Sequence, residues 1–155
     1  MKNIVELLIE KKKTISTMES CTGGAIANYI TNIPDASQVF SFAAVTYSNE
    51  FKIKMGVSKE IIDKYTVYSM ETARCMAKTI GEFTNSSYGV GVTGKLKKVD
   101  PNNLSGENDL CYLSIYDSDN DKYYDEIIKV INDTREDNKK QIINIFVEKM
   151  INILK

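Results

Sequence analysis

The chain has no histidine. Its absence removes the commonest general base and the commonest metal ligand, so any proton transfer has to rest on lysine, tyrosine or carboxylates. Cysteine is scarce: Cys21, Cys75 and Cys111 are odd in number and at no metal-ligand spacing, and nothing points to a compartment where disulfides persist. With no clustered Asp/Glu pattern either, the sequence implies no metal and no cofactor. No apolar run approaches the roughly 18 residues of a membrane span, which excludes a transmembrane helix. Basic excess is also missing. Twenty Lys and Arg stand against 21 Asp and Glu, a net charge of -1, so there is no field to gather a polyanion, and the run Lys11–Lys13 reads as a solvated helix end. Nucleic acid and membrane are not expected partners.

What is present suits one compact domain over 1–155, with 43% apolar and 26% charged residues, both ordinary for a soluble globular chain. Charges among Ile4, Val5, Leu7 and Leu8 give an amphipathic helix rather than a secretion signal, so a cytoplasmic location is expected. Thr14 to Met18 reads as a strand. Ala25, Ile26, Tyr29 and Ile30 recur at helical spacing until Pro34, and Val39 to Thr46 is a second strand followed by a short helical piece at Phe51–Met55. Ser69 caps a helix whose apolar face is Met70, Ala73, Ala77 and Ile80 and which is expected to stop near Gly81. Tyr88–Val92 is a strand, and Gly94–Asp109 has the composition of a long loop. Leu110–Tyr116 and Lys122–Ile131 pair across the polar turn Asp117–Asp121. Asp133 and Glu136 fit a capping box for a last helix turned inward by Ile142, Phe146, Met150 and Ile153. Helices interleaved with strands make this an α/β chain, a three-layer α/β/α arrangement around a central mixed sheet.

One turn could carry chemistry. Ser20-Cys21-Thr22-Gly23-Gly24 puts a hydroxyl between a strand and the first turn of a helix, where backbone N–H groups and the helix dipole favour an oxyanion or a phosphate. The two glycines let a ligand approach the backbone, and Thr22 adds a second hydroxyl. Taken alone, the turn reads first as a strand-to-helix connection capped by Ser20 or Thr22.

Met18-Glu19-Ser20-Cys21-Thr22-Gly23-Gly24 resembles the E-S-C-T-G-G signature of the CinA C-terminal domain family, which includes the PncC-type nicotinamide mononucleotide deamidases. Val45-Thr46-Tyr47-Ser48-Asn49-Glu50-Phe51-Lys52 is similar to that family's V-T-Y-S-N-x-x-K run, with Met55-Gly56-Val57 at the family spacing. The likeness continues through Val67–Ala73, Val92-Thr93-Gly94 and Asp133-Thr134-Arg135. It implies an amidohydrolase that converts the carboxamide of nicotinamide mononucleotide to the acid and ammonia, with Ser20, Tyr47 and Lys52 as the catalytic set. It further implies substrate contacts from Glu19, Thr22, Gly23, Gly24, Thr93, Gly94 and Arg135, a small-molecule nucleotide as partner, and assembly as a homo-oligomer. Many relatives carry an N-terminal pyrophosphatase-like domain, so this chain is expected to be the stand-alone form.

The residue chemistry agrees with this set. A serine hydroxyl needs a base, and without histidine a lysine must serve, which requires desolvation to lower its pKa. Tyr47 could relay the proton or donate to developing charge. Glu19 could orient Lys52 or Thr22, or could simply be an exposed carboxylate. Cys21 is chemically the better nucleophile, but adjacent side chains diverge, and Ser20 is favoured for the site. The chain departs from the family after Gly94, where the usual A-G-P glycine loop is replaced by Lys95-Leu96-Lys97-Lys98-Val99-Asp100-Pro101-Asn102-Asn103. Its lysines could meet a phosphate or be solvated. A second reading follows: a nucleotide- or partner-binding protein of competence or DNA-damage physiology in which turnover has been lost.

Overall fold

The computed structural model describes residues 1–97 and 107–155. Five strands form one open mixed sheet in the order β2-β1-β3-β4-β5. These are β1 (Ile15–Glu19), β2 (Phe40–Val45), β3 (Tyr88–Gly94), β4 (Leu110–Asp117) and β5 (Lys122–Lys129). The strand β1 runs parallel to β2 on one side and to β3 on the other, while β4 and β5 add on antiparallel. Helices α1 (Ile4–Lys11), α2 (Ala25–Thr31) and α6 (Arg135–Leu154) share one face, where Ile4, Leu8, Ile26, Ile30, Ile142 and Phe146 close a core over Val90 and Leu113. On the opposite face α4 (Lys59–Tyr65) and α5 (Met70–Thr84) close a smaller core of Met18, Val57, Ile62, Val67, Met76 and Ile80. The sheet is therefore covered on both sides, as the alternation of helix and strand implies.

The helix α5 runs through Gly81 instead of stopping there, and ends at Asn85, which is left-handed at φ 55°. The glycines of this seam serve close approach. A Cβ on Gly89 would lie 2.0 Å from the Ala77 carbonyl, and one on Gly91 2.2 Å from that of Ala73, so the α5 backbone rests directly on β3. Two further boundaries differ from expectation. Thr134, not Asp133, caps α6 by accepting from the Asp137 amide, and the last buried position is Leu154 rather than Ile153. The seven-residue α4 buries only Ile62, too sparse a pattern for periodicity to reveal. Gly94 belongs to β3, and positions 98–106 of the anticipated loop lie outside the described residues.

This topology has one consequence for function. The chain leaves β1 for α2 on one face and leaves β2 for α3 (Asn49–Lys54), α4 and α5 toward the other. The strand order reverses at β1, so the C-terminal ends of β1 and β3 flank the switch point of the parallel half, the place where open α/β sheets form a crevice, with the end of β2 beside it.

Candidate active site

Ser20 directly follows β1, and its amide still donates to the Val92 carbonyl of β3 at 3.1 Å, which fixes the residue to the sheet. Gly23 and Gly24, at φ 62° and 94°, then swing the chain into α2, a conformation that side-chain-bearing residues rarely adopt. From the neighbouring strand, the Thr46 amide donates to the Glu19 carbonyl at 2.8 Å, so β2 delivers its C-terminal end to the same level.

Lys52 arrives by α3, whose start is capped by Ser48 accepting from the Phe51 amide. The helix is inverted in character: its one buried side chain is Lys52, 1% exposed, while Phe51 is 54% exposed. The Lys52 Nζ lies 3.0 Å from Ser20 Oγ and 2.7 Å from the Thr46 carbonyl oxygen. No carboxylate pairs with it among the described residues. Burial lowers this ammonium to about 8, against a smaller opposing pull from the Cys21 thiol. Desolvation without a counter-charge has that effect, because the neutral amine loses less than the cation on leaving water. The neutral amine can accept the Ser20 hydroxyl proton while donating to Thr46; the ammonium donates to both.

Glu19 is fully buried and does not touch Lys52. Its carboxylate accepts from Thr22 Oγ1 at 2.6 Å and from the amides of Ile26 and Ala27, each at 2.9 Å. Of the two partners considered for it, Thr22 is the one it has, and the exposed-carboxylate alternative is excluded. The α2 N-terminus therefore holds the protein's own anion, and those two amides are not free for a ligand. The amides of Cys21, Thr22 and Gly24 donate to no acceptor among the described residues.

Cys21 turns the other way. Its sulfur is buried in the core of the α1–α2–α6 face, 3.5 Å from that of Cys111, and this contact together with burial pushes the Cys111 thiol well up. Tyr47 is 66% exposed, and its hydroxyl accepts from Arg135 at 3.4 Å. Among the described residues no hydrogen bond joins Tyr47 to Ser20 or Lys52. Arg135, the first residue of α6, thus meets the β2 end across the crevice, and Lys139 from the next turn reaches Gly23. Thr93 donates to the Val67 carbonyl at 3.0 Å, and a Cβ on Gly94 would lie 2.6 Å from Cys111 Cα, so both have packing reasons to be there. The sequence reading passed over Thr46, which sits inside the V-T-Y-S-N run and supplies the carbonyl that anchors Lys52.

The CinA C-terminal domain model matches residues 1–154. A putative competence-damage inducible protein of Clostridium beijerinckii is 52% identical over 92 residues, 59% of this chain and 22% of that protein. One from Clostridium kluyveri is 43% identical over 111 residues, 71% of this chain and 27% of the relative. The matches thus span about a quarter or less of these longer relatives. The crystal structure of the competence/damage inducible protein CihA from Agrobacterium tumefaciens superposes with a TM-score of 0.83 at 26% identity, covering 100% of this chain and 98% of that one. A competence or damage-inducible protein from Enterobacter asburiae has a TM-score of 0.86 at 16% identity over all of both chains, a likeness of fold. With the family model spanning almost its whole length, the chain belongs to the CinA C-terminal domain family.

Proposed function

We propose that this protein hydrolyses a carboxamide, with nicotinamide mononucleotide as substrate and nicotinic acid mononucleotide and ammonia as products. The observation that carries the reading is Lys52: a buried amine, without a carboxylate partner, 3.0 Å from the hydroxyl of Ser20. In this reading the neutral Lys52 takes the Ser20 proton as Oγ attacks the carboxamide carbon. The free amides of Cys21 and Thr22, next to the nucleophile, are the candidates to meet the developing oxyanion. The Lys52 ammonium then gives its proton to the departing nitrogen, which leaves as ammonia, and an ester to Ser20 remains. Water attacks that ester, Lys52 accepts its proton and returns it to Ser20 Oγ, and the acid is released. Glu19 acts at one remove by fixing Thr22 and the start of α2. Tyr47 and Arg135 form the exposed rim, where they contact the substrate rather than relay the Ser20 proton.

The test is ammonia release by purified protein from nicotinamide mononucleotide, the riboside and free nicotinamide, with Ser20→Ala and Cys21→Ala beside the wild type. Activity lost in Ser20→Ala and kept in Cys21→Ala is the expected outcome. Tight binding of the mononucleotide without ammonia release would instead favour the binding-protein reading.

A further inference from the structure

Two buried side-chain polar atoms among the described residues have no hydrogen-bond partner: Thr46 Oγ1 and Lys95 Nζ. Neither position is arbitrary. Thr46 is the first residue after β2 and Lys95 the first after β3, and Ser20 is the first after β1, which lies between those two strands. Both orphaned atoms therefore flank the proposed nucleophile at the same edge of the sheet. Buried polar groups nearly always have partners, and an orphan at a functional edge calls for one that the described residues do not supply.

Lys95 is the more demanding case. Its side chain is 3% exposed, forms no ion pair among the described residues, and holds its Nζ 4.7 Å from the centre of the Tyr68 ring. An aromatic face attracts a cation but offers no hydrogen-bond acceptor of carboxylate strength, so the donors of the ammonium remain open. The backbone at this point is fixed: the Lys95 amide donates to the Leu110 carbonyl at 3.0 Å, and Thr93, two residues earlier, is tied to Val67, the neighbour of Tyr68. Glu19 pairs with Val92, so Lys95 stands two residues past the level of Ser20, roughly 7 Å farther along the strand direction. That offset suits a group on the same ligand remote from the reacting carbon.

We propose that Lys95, held on the Tyr68 ring, is the binding group for a phosphate carried by the ligand of the Ser20 site. This assignment rests on the reading above for the identity of the ligand, but not for the existence of the anion site. The Lys95 ammonium acts as a point charge with open donors.

The experiment has two arms. In the first, ammonia release from the mononucleotide and from the riboside is compared in wild type and Lys95→Met. The expected result is a KM for the mononucleotide raised by about 10- to 100-fold with kcat within about twofold, while the riboside is unaffected. Equal losses on both substrates would overturn the proposal, since the side chain would then be positioning the site as a whole. The second arm needs no turnover. Thermal unfolding is followed with inorganic phosphate against chloride at matched ionic strength. The wild type is expected to gain Tm with phosphate and Lys95→Met to gain none, with Lys95→Gln as a second variant should the first fold poorly. No gain in the wild type, or the same gain in the variants, removes the site. If the wild type hydrolyses neither substrate yet shows the Lys95-dependent gain, the amidase reading fails and the anion site stands.

Discussion

The two halves of the sheet handle charge in opposite ways. At the C-terminal edge of the parallel strands, Glu19, Lys52 and Lys95 are all buried, and none of them is paired with an opposite charge among the described residues. Around the antiparallel β4–β5 hairpin, charges are paired within reach of water: Arg74 with Asp125, Lys149 with Glu126, Lys13 with Asp119. Exposed pairs stabilise a fold by about 0–1 kcal/mol each and are forgiving, whereas a desolvated, unpaired ammonium costs several times that. The difference teaches where the molecule tolerates strain for a reason. An inverted helix such as α3, lysine in and phenylalanine out, contradicts local patterning, and such contradictions concentrate at sites that do chemistry.

The contrast breaks most sharply at Ser20 and Lys52. Ser20→Ala is expected to lower kcat by at least about 10³-fold with the fold intact. Lys52→Arg is expected to do the same, because a guanidinium keeps its proton at any pH the protein tolerates and cannot act as a base. Near-normal kcat in Lys52→Arg, measured as ammonia release, would reduce Lys52 to a source of charge.

A smaller effect sharpens the same point through pH. The Lys52 ammonium is lowered to about 8 in the folded protein, against about 10.4 in the unfolded chain. Between those values the unfolded state binds more protons, so this group makes stability rise as pH increases through that window. Below pH 8 both states are protonated and burial of the ammonium costs on the order of 3 kcal/mol, a cost that fades toward pH 10.4. Lys52→Met removes the titration, so the stability difference between variant and wild type should drift with pH from 8 to 10 in chemical denaturation. A constant difference would show that Lys52 titrates normally. In the same way, kcat/KM is expected to climb with pH, reach half its plateau near pH 8 and level off about one pH unit higher as the free amine accumulates.

Glu19→Gln comes next. The carboxylate accepts from Thr22 and from two α2 amides, and a carboxamide keeps only one acceptor oxygen and no charge at the helix N-terminus. A loss of about 2 kcal/mol is expected in denaturant unfolding. A neutral result would mean that the α2 start is held by Gly23 and Gly24 alone.

Much of this was legible in the residues. The order of the strands and of every helix but α4 followed from periodicity, and the pairing of Ser20 with Lys52 followed from the two motif blocks together with the absence of histidine. What escaped was set by contacts remote in sequence. Gly81 looked like a helix stop because nothing local shows that β3 brings Gly89 against it. Lys95 looked like one of several loop lysines because burial of a cation over Tyr68 leaves no trace in spacing. Glu19 was singled out, yet its chief partners are backbone amides, which no side-chain pattern encodes.

The smallest expected effect belongs to the antiparallel half and tests whether the two halves are separable. Arg74, on α5, donates through Nε to Asp125 at 2.7 Å, Ser114 donates to the other oxygen of the same carboxylate at 2.7 Å, and the guanidinium lies 5.7 Å from the Tyr123 ring centre. The arginine side chain is 47% exposed, so water screens the pair and replaces its hydrogen bonds when it is broken. Arg74→Ala is therefore expected to cost no more than about 1 kcal/mol in unfolding by denaturant, and less still at high salt. A double-mutant cycle with Asp125→Asn isolates the pair from the packing of the arginine stem. Ammonia release should be unchanged, because Arg74 bonds Asp125 of β5 and no residue of the proposed site. A loss of kcat in Arg74→Ala without a loss of stability would mean that the hairpin end tunes the site after all, and the division of the sheet into a strained half and a forgiving half would fall.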